Sequence, residues 1–504
     1  MPRIDASRRE FLRASAALSI LGRTATPLGV NLAALGAAAA QSAAPPTDYK
    51  ALVCVFLFGG NDATNMVLPT DADSWSRYQA ARNQGTQPIA LLPAGTAPDP
   101  TAAAGTPAAL GGVLAITPKT AQAFPPGTAG TGARPFALHP LLTNVQSLFG
   151  QGKLAIVANV GTLLAPTTKT QYLNKQVPLP RSLFSHDDQQ SEWQSGAAEG
   201  AQVGWGGQLG DMLVSANGSN AIFTAISTSG NAVMLAGNTV LQYQVSAAGA
   251  VGINGITATS LYGTNGGPAA LRTVITSPSG SSVFPSDYAA VVNRSIAAGS
   301  TLNTALAGVT VAAPTQYTNP ITGNAATNPL ATQFQTIAHI IAAAPALGVK
   351  RQIFFASIGG FDTHANQNNV QPNLMAQLDH GLGYLYGTLT TLGLANSVTA
   401  FTMSEFARTF TTNGLGTDHA WGSHHFVLGG TVNGGDMYNQ FPTVGVDLSG
   451  FSNPNAVGSG ALIPTVAVDQ YAATLGAWFG VTPTNLQTIF PNLTQFSPAS
   501  LGFV

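Results

Sequence analysis

Charge is what this chain has least of. Of its 504 residues, 19 are Lys or Arg and 20 are Asp or Glu, a net of −1. So weak a field gives no electrostatic case for nucleic acid or an anionic membrane surface, since both need clustered cations. It also leaves few solvated helix faces, so Asn, Gln, Thr and Ser must cover much of the surface. Cysteine is almost missing. Cys54 stands alone, which excludes an intrachain disulfide and any multi-cysteine zinc or iron–sulfur site. It sits within an apolar run and reads as a small buried hydrophobe. No run of about 18 unbroken apolar residues exists, so no transmembrane anchor is expected in the mature protein. No fixed-period repeat emerges either, which argues against a solenoid or a propeller.

What is present begins at the N-terminus. Ser7-Arg8-Arg9-Glu10-Phe11-Leu12 is a twin-arginine pattern, followed by an Ala/Leu-rich segment and the small residues Ala38-Ala39-Ala40. Residues 1–40 therefore read as a twin-arginine signal peptide. That implies passage through the twin-arginine translocase and a periplasmic or secreted location. The segment carries five Arg against Asp5 and Glu10, a net of +3, so the remainder stands at −1 − 3 = −4. The pathway carries folded proteins, often with a metal already loaded, which favours a metalloenzyme.

With 45% hydrophobic residues, 56 Gly and 32 Pro, the remainder suits a large loop-rich globular core. Leu52 to Phe58 is an unbroken apolar run, as in a strand buried on both faces. It empties into Gly59-Gly60-Asn61-Asp62, where Asp62 suits either an Asx-turn or a site. Leu154 to Val160, Ile353 to Ile358, Ser397 to Met403 and Phe426 to Leu428 read as further strands. Helices are expected near 287–306, over 334–344 and 373–391, at Gly204 to Asp211, and from Asp469 to Phe479 closed by Gly480. Asp379 and His380 are expected on a helix surface, and His339 as a satisfied core residue. Residues 83–135 read as a surface excursion, and about 214–333 as an inserted Gly/Ala/Thr/Asn-rich cap subdomain. Within it, Thr239, Leu241, Tyr243 and Val245 alternate with Gln242 and Gln244 in strand fashion.

Polar residues crowd at the strand exits. Five of the eight His (His364, His380, His419, His424 and His425) fall between Ile353 and Gly430. Asp362, Glu405, Arg408 and Asp418 share that window. Apolar strands ending in polar loops are how open α/β sheets build sites. Asp362-Thr363-His364 sets two metal ligands within one loop turn. Earlier, Ser185-His186 opens a cluster that suits a helix cap with Asp188, a nucleophile, or both. The candidate ligands are Asp62, Asp362, His364, Glu405, Asp418, His419, His424 and His425. The candidate catalytic groups are Ser185, His186 and Arg408. Carboxylates and imidazoles without thiols suit one or two divalent ions, Zn, Mn or Ca. Two such ions about 4 Å apart would clamp an in-line displacement at phosphorus or sulfur, and Arg408 would neutralise an oxyanion with its fork. A serine-hydrolase triad ranks lower, because no Gly-x-Ser-x-Gly elbow stands at a strand-to-helix turn.

FLFGGNDATN, LFSHDDQQ, GGFDTH, SEFARTF, GTDHAWGSHHFVLGG and VDQYAATLGAWFG, with the twin-arginine start, together resemble the DUF1501 family of exported bacterial proteins. The resemblance runs through residues 48–504 apart from the insertion. It implies an α/β fold of the alkaline phosphatase-like kind, a mixed and mostly parallel sheet sandwiched by helices, with a dinuclear metal site at the strand ends. It implies Ser185 as nucleophile or ligand. For the strand-exit Asp-His pair, Asp418-His419 matches by string and Glu405-Phe406 by position, and Phe406 cannot bind metal. The Cys-x-Pro-x-Arg string of sulfatases is missing. The expectation is a metal-dependent hydrolase of a small-molecule or polymeric phosphate or sulfate ester. The alternative is a noncatalytic binding or scaffold protein that keeps the fold.

Overall fold

The run from Lys50 to Phe58 forms β1, and residues Ala51 to Leu57 are all completely buried. The computed structural model describes residues 46–247, 249–277 and 283–504. The stretch at 1–40, expected to be a signal peptide, lies outside them. Even positions of β1 (Leu52, Cys54, Phe56) join one apolar core and odd positions (Ala51, Val53, Val55, Leu57) join another. A strand with no polar face must be covered on both sides, and each fully buried Val, Leu, Ile or Phe contributes about 1.5–3 kcal/mol relative to exposure.

The other strands of the central sheet are β2 (Leu154–Gly161), β3 (Ala225–Ser227), β4 (Tyr243–Ser246), β5 (Gly249–Ala250), β6 (Arg351–Gly359), β7 (Val398–Met403), β8 (Ser423–Gly429), β9 (Met437–Tyr438) and β10 (Val466–Ala467). Their order is β9-β2-β8-β7-β1-β6-β3-β4-β5, with β10 also paired to β2. Pairings β7-β1, β1-β6, β6-β3 and β3-β4 are parallel, while β8 is antiparallel to both of its neighbours. The sheet is therefore mixed and mostly parallel. Because β8 runs against β1, β6 and β7, its first residues lie at the edge where those strands end.

Helices cover both faces. On the odd-residue side of β1 lie α1 (Ala72–Arg82), α2 (Thr143–Gly150), α7 (Pro329–Ala342) and α8 (Gln367–Thr391). On the even-residue side lie α3 (His186–Ser195), α4 (Trp205–Leu213) and α9 (Val468–Phe479). Helices α5 (Gly267–Thr276) and α6 (Val283–Ala307) belong to the stretch read as an insertion. That stretch is not set apart from the sheet, because it supplies β3, β4 and β5. Its alternating segment is a strand only from Tyr243 on, with Leu241 71% exposed.

Three local readings are corrected. Asp379 is not on a surface but 4% exposed. It accepts hydrogen bonds from Val145 N and Asn144 Nδ2 at 2.9 and 2.7 Å, so a carboxylate from α8 caps the N-terminus of α2, which has no side-chain cap of its own. Ser185 is the N-cap residue of α3 yet makes no capping bond, so the Ser185–Asp188 box does not form. His339 is half-buried and hydrogen-bonded to the Leu306 and Val309 carbonyls. Among the described residues, no helix is long and apolar enough to cross a membrane.

Candidate metal centre

Asp362, His364 and His419 meet at the carboxyl edge of the sheet, and His186 reaches them from the start of α3. The Asp362 Oδ1 atom lies 3.1 Å from both His364 Nε2 and His419 Nε2, and Oδ2 lies 3.6 Å from His186 Nε2. His364 Nε2 and His419 Nε2 are 2.9 Å apart. Ligand atoms of His186, Asp362 and His419 all lie within 4.8 Å of one another, and His364 adjoins them.

Each of the three rings is held at its other nitrogen. His186 Nδ1 is 2.9 Å from Glu405 Oε1, His364 Nδ1 is 2.8 Å from Asp418 Oδ1, and His419 Nδ1 is 2.7 Å from the Phe184 carbonyl oxygen. A carbonyl oxygen or ionised carboxylate can only accept, so each Nδ1 carries the proton. With that proton on Nδ1, a bare Nε2 turns its lone pair toward Asp362, itself an acceptor. Lone pairs crowded to about 3 Å repel unless a cation lies among them. Three imidazoles so anchored, converging on a carboxylate, are the donor arrangement of a metal site with its supporting shell. The residues present therefore fit a bound divalent ion.

Local sequence explains the convergence. Gly59 and Gly60 have φ of +117° and +80°. A Cβ on Gly59 would fall 2.3 Å from Asp362 N, and one on Gly60 2.3 Å from the Phe406 ring. Only glycine permits the left-handed turn and this approach together. Phe406 then packs against the His186 and His419 rings, at centroid distances of 4.9 and 4.4 Å. Glu405 is wholly buried beneath, accepting from Gly59 N at 2.8 Å and Gln190 Nε2 at 3.0 Å.

The electrostatics follow from these contacts. Burial works against ionising Asp362, but the charge of Arg408 and its hydrogen bond to Oδ1 outweigh it and hold the carboxyl below its ordinary value. The hydrogen bond to Glu405 raises the His186 pKa against the effect of burial. Burial lowers that of His419, against its bond to the Phe184 carbonyl.

The remaining predicted residues sit elsewhere or act differently. Asp62 is 1% exposed and takes a two-pronged ion pair from Arg82, at 2.5 and 2.9 Å, plus Gln367 Nε2 at 2.6 Å. Its oxygens are filled by the fold, and it also accepts from Asn65 N, as a turn-forming Asp does. His424 and His425 lie within β8 rather than before it. Both are buried, and burial pushes both down to about 3, so they stay neutral. His424 Nδ1 accepts from Asn159 N, and His425 packs on Trp193 and Tyr471. Glu405 and Asp418 touch the outer nitrogens, so they orient ligands rather than join them. Arg408 donates to Asp362 Oδ1 at 2.9 Å and to the Thr417 carbonyl at 2.6 Å, and its side chain is completely buried. It holds a ligand in place of waiting for an oxyanion. His186 was read as a catalytic group and stands instead among the converging imidazoles. The Phe184 carbonyl escaped sequence reasoning, since a backbone acceptor has no residue-type signature.

No curated protein matches this chain. A solved structure described as "Crystal structure of Ps i-CgsB in complex with k-i-k-neocarrahexaose" is similar over 69% of this chain and 68% of that one, at 11% identity and a TM-score of 0.30, too slight a likeness to build on. Residues 288–490, which carry Asp362, His364, Glu405, Arg408, Asp418 and His419 but not His186, match the family described as "Protein of unknown function (DUF1501)".

Proposed function

We propose that this protein is an exported, metal-dependent hydrolase of a phosphate or sulfate ester, built on an alkaline phosphatase-like plan. The observation that carries the reading is the convergence of three Nδ1-anchored imidazoles on the Asp362 carboxylate. His186, Asp362, His364 and His419 would hold the ion. A donor set of three nitrogens and a carboxylate suits zinc or manganese better than calcium, which takes oxygen ligands. When bound, the ion supplies Lewis acidity toward a phosphoryl or sulfuryl oxygen. The chain's own residues do the rest. Arg408 keeps Asp362 ionised and in place. Glu405 and Asp418 fix the rings of His186 and His364. Ser185, between Phe184 and His186 at the N-terminus of α3, is the nucleophile candidate, its hydroxyl free of any capping duty. The export assignment rests on the Ser7–Leu12 pattern alone.

One observation favours a second reading, a metal-binding or scaffold protein without turnover. Among the described residues a single such group is gathered, and Asp62, the expected ligand of a second ion, is held by Arg82.

Elemental analysis of protein purified without chelator, beside Asp362→Asn, tests the metal. Turnover of p-nitrophenyl phosphate and p-nitrophenyl sulfate by the loaded protein and by Ser185→Ala tests the chemistry. About one equivalent of a divalent transition ion, lost in Asp362→Asn, with ester cleavage lost in Ser185→Ala, is the expected result. Metal without cleavage of either ester selects the second reading. No metal in the wild-type protein overturns the hydrolase and leaves the noncatalytic scaffold.

A further inference from the structure

One turn beyond His186, α3 carries two buried polar residues that the metal centre does not touch. Gln189 is 1% exposed and Glu192 8%. Gln189 Nε2 donates to the Arg181 carbonyl at 3.0 Å and to Glu192 Oε2 at 3.1 Å. Glu192 Oε1 accepts from Arg181 N at 3.0 Å. Thr162 Oγ1, just past β2, donates to Gln189 Oε1 at 2.7 Å. Both backbone groups of Arg181 are thus tied to α3, and α3 to the end of the sheet.

The segment so tied is strained. Ser182 and Phe184 have φ of +44° and +75°, the left-handed region that residues other than glycine avoid. Such conformations persist only where neighbours over-determine them, and they gather at functional sites. Ser185 N closes the turn on the Ser182 carbonyl at 2.9 Å. The product of the turn is the position of one atom, the Phe184 carbonyl oxygen, 2.7 Å from His419 Nδ1. The other two imidazoles are oriented by carboxylates. His419 alone of the three depends on a loop carbonyl.

We propose that Gln189 and Glu192 are positioning residues: they hold Arg181–Ser185 in its strained turn, and so set the Phe184 carbonyl that keeps the His419 proton on Nδ1 and its lone pair on Nε2. The consequence for metal affinity rests on the metal-centre reading, whereas the tautomer does not.

The test uses the full chain and two readouts. Histidine side-chain 15N NMR of the metal-free protein reports the His419 tautomer, assigned by loss of its signals in His419→Gln. Titration with cobalt(II), followed by its visible absorption, reports affinity. The wild-type protein should show His419 as the single Nδ1–H form. Gln189→Leu, which leaves the Arg181 carbonyl unpaired, should give a mixture of tautomers and weaken cobalt binding roughly 10–100-fold, the usual loss when a ligand's support is removed. Glu192→Gln keeps an oxygen acceptor for Arg181 N and should lose only about threefold or less. Ser191→Ala, on the same helix but bonded to the Ala198 carbonyl, should change neither readout. If Gln189→Leu does not fold, Thr162→Val, which removes the hydroxyl that anchors Gln189 and also bears on Glu192, takes the same measurements. A single Nδ1–H form in Gln189→Leu, with cobalt held as tightly as in the wild type, overturns the proposal. If the wild type binds no cobalt, the metal reading fails and the tautomer alone decides the clamp.

Discussion

Two aspartates follow two neighbouring parallel strands, each after a pair of glycines, and come to opposite ends. Asp62 leaves β1 through Gly59-Gly60-Asn61, and Asp362 leaves β6 through Gly360-Phe361. Each meets an arginine. Arg82 closes on both oxygens of Asp62 within a site about 1% exposed, together with Gln367. Arg408 touches Oδ1 of Asp362, whose side chain stays 45% exposed; His364 and His419 approach the same oxygen and His186 the other. The same residue at the same kind of strand exit becomes a structural ion pair where its oxygens are all filled by the fold, and a ligand candidate where they are not. What separates the two is the company each keeps, which no local motif encodes.

The largest expected effect breaks the structural member. Arg82→Leu leaves the Asp62 charge buried and unpaired, and should lower unfolding stability by about 3–5 kcal/mol, measured by urea denaturation. Asp362→Asn should move the urea midpoint far less while removing bound metal. Equal destabilisation by the two would erase the distinction.

A third carboxylate sharpens it. Asp469 is 7% exposed and has no cationic partner among the described residues, and burial pushes its carboxyl up to about 6. Its folded pKa lies above the unfolded one, so between about pH 4 and 6 the folded state binds the extra proton and stability falls as pH rises. Above pH 6 the cost is complete, about 3 kcal/mol for a shift of roughly two units. Asp469→Asn should therefore match the wild type near pH 4 and exceed it by up to that amount at pH 8, read from denaturation curves at the two pH values. A constant difference across the range would show that titration is not its cause.

Next comes the support of His186. Glu405→Gln should keep the fold yet weaken metal binding roughly 10–100-fold, since the imidazole loses its charged anchor. Isothermal titration with zinc measures it, and unchanged affinity would remove Glu405 from the centre. The smallest effect belongs to β8. His425→Leu replaces a neutral buried imidazole whose Nε2 has no hydrogen-bond partner, so metal content by elemental analysis should not change. Loss of metal there would return His425 to the ligand set.

The same contrast shows how far the chain could be read in advance. β1, β6 and β7 were legible because short, mostly apolar, β-branched or aromatic runs that empty into polar loops fit strands covered on both faces. Asp362, His364 and His419 were legible because they follow or precede such runs directly. The pairing of Asp62 with Arg82 was not, since the arginine arrives from a helix whose docking no spacing specifies. His424 and His425 were misplaced because the strand starts three residues earlier than expected: β8 begins at Ser423 rather than Phe426, which puts both imidazoles in the core. Glu405 and Asp418 carried the right chemistry for a metal site but one atom too far out, a distinction that only the ring orientations reveal.

The reversed direction of β8 has one more consequence. Because β7 ends and β8 begins at the same edge, the connection between them folds back on itself, with Ala420 N bonded to the Ala407 carbonyl and a bridge between Arg408 and His419. Glu405, Arg408, Asp418 and His419 therefore arrive on one continuous ribbon of chain, Ser404 to Gly422. That ribbon is a cassette. It carries one imidazole, the anchors of the other two and the arginine together, so a shift of this one piece of chain would move four of the residues at the centre at once.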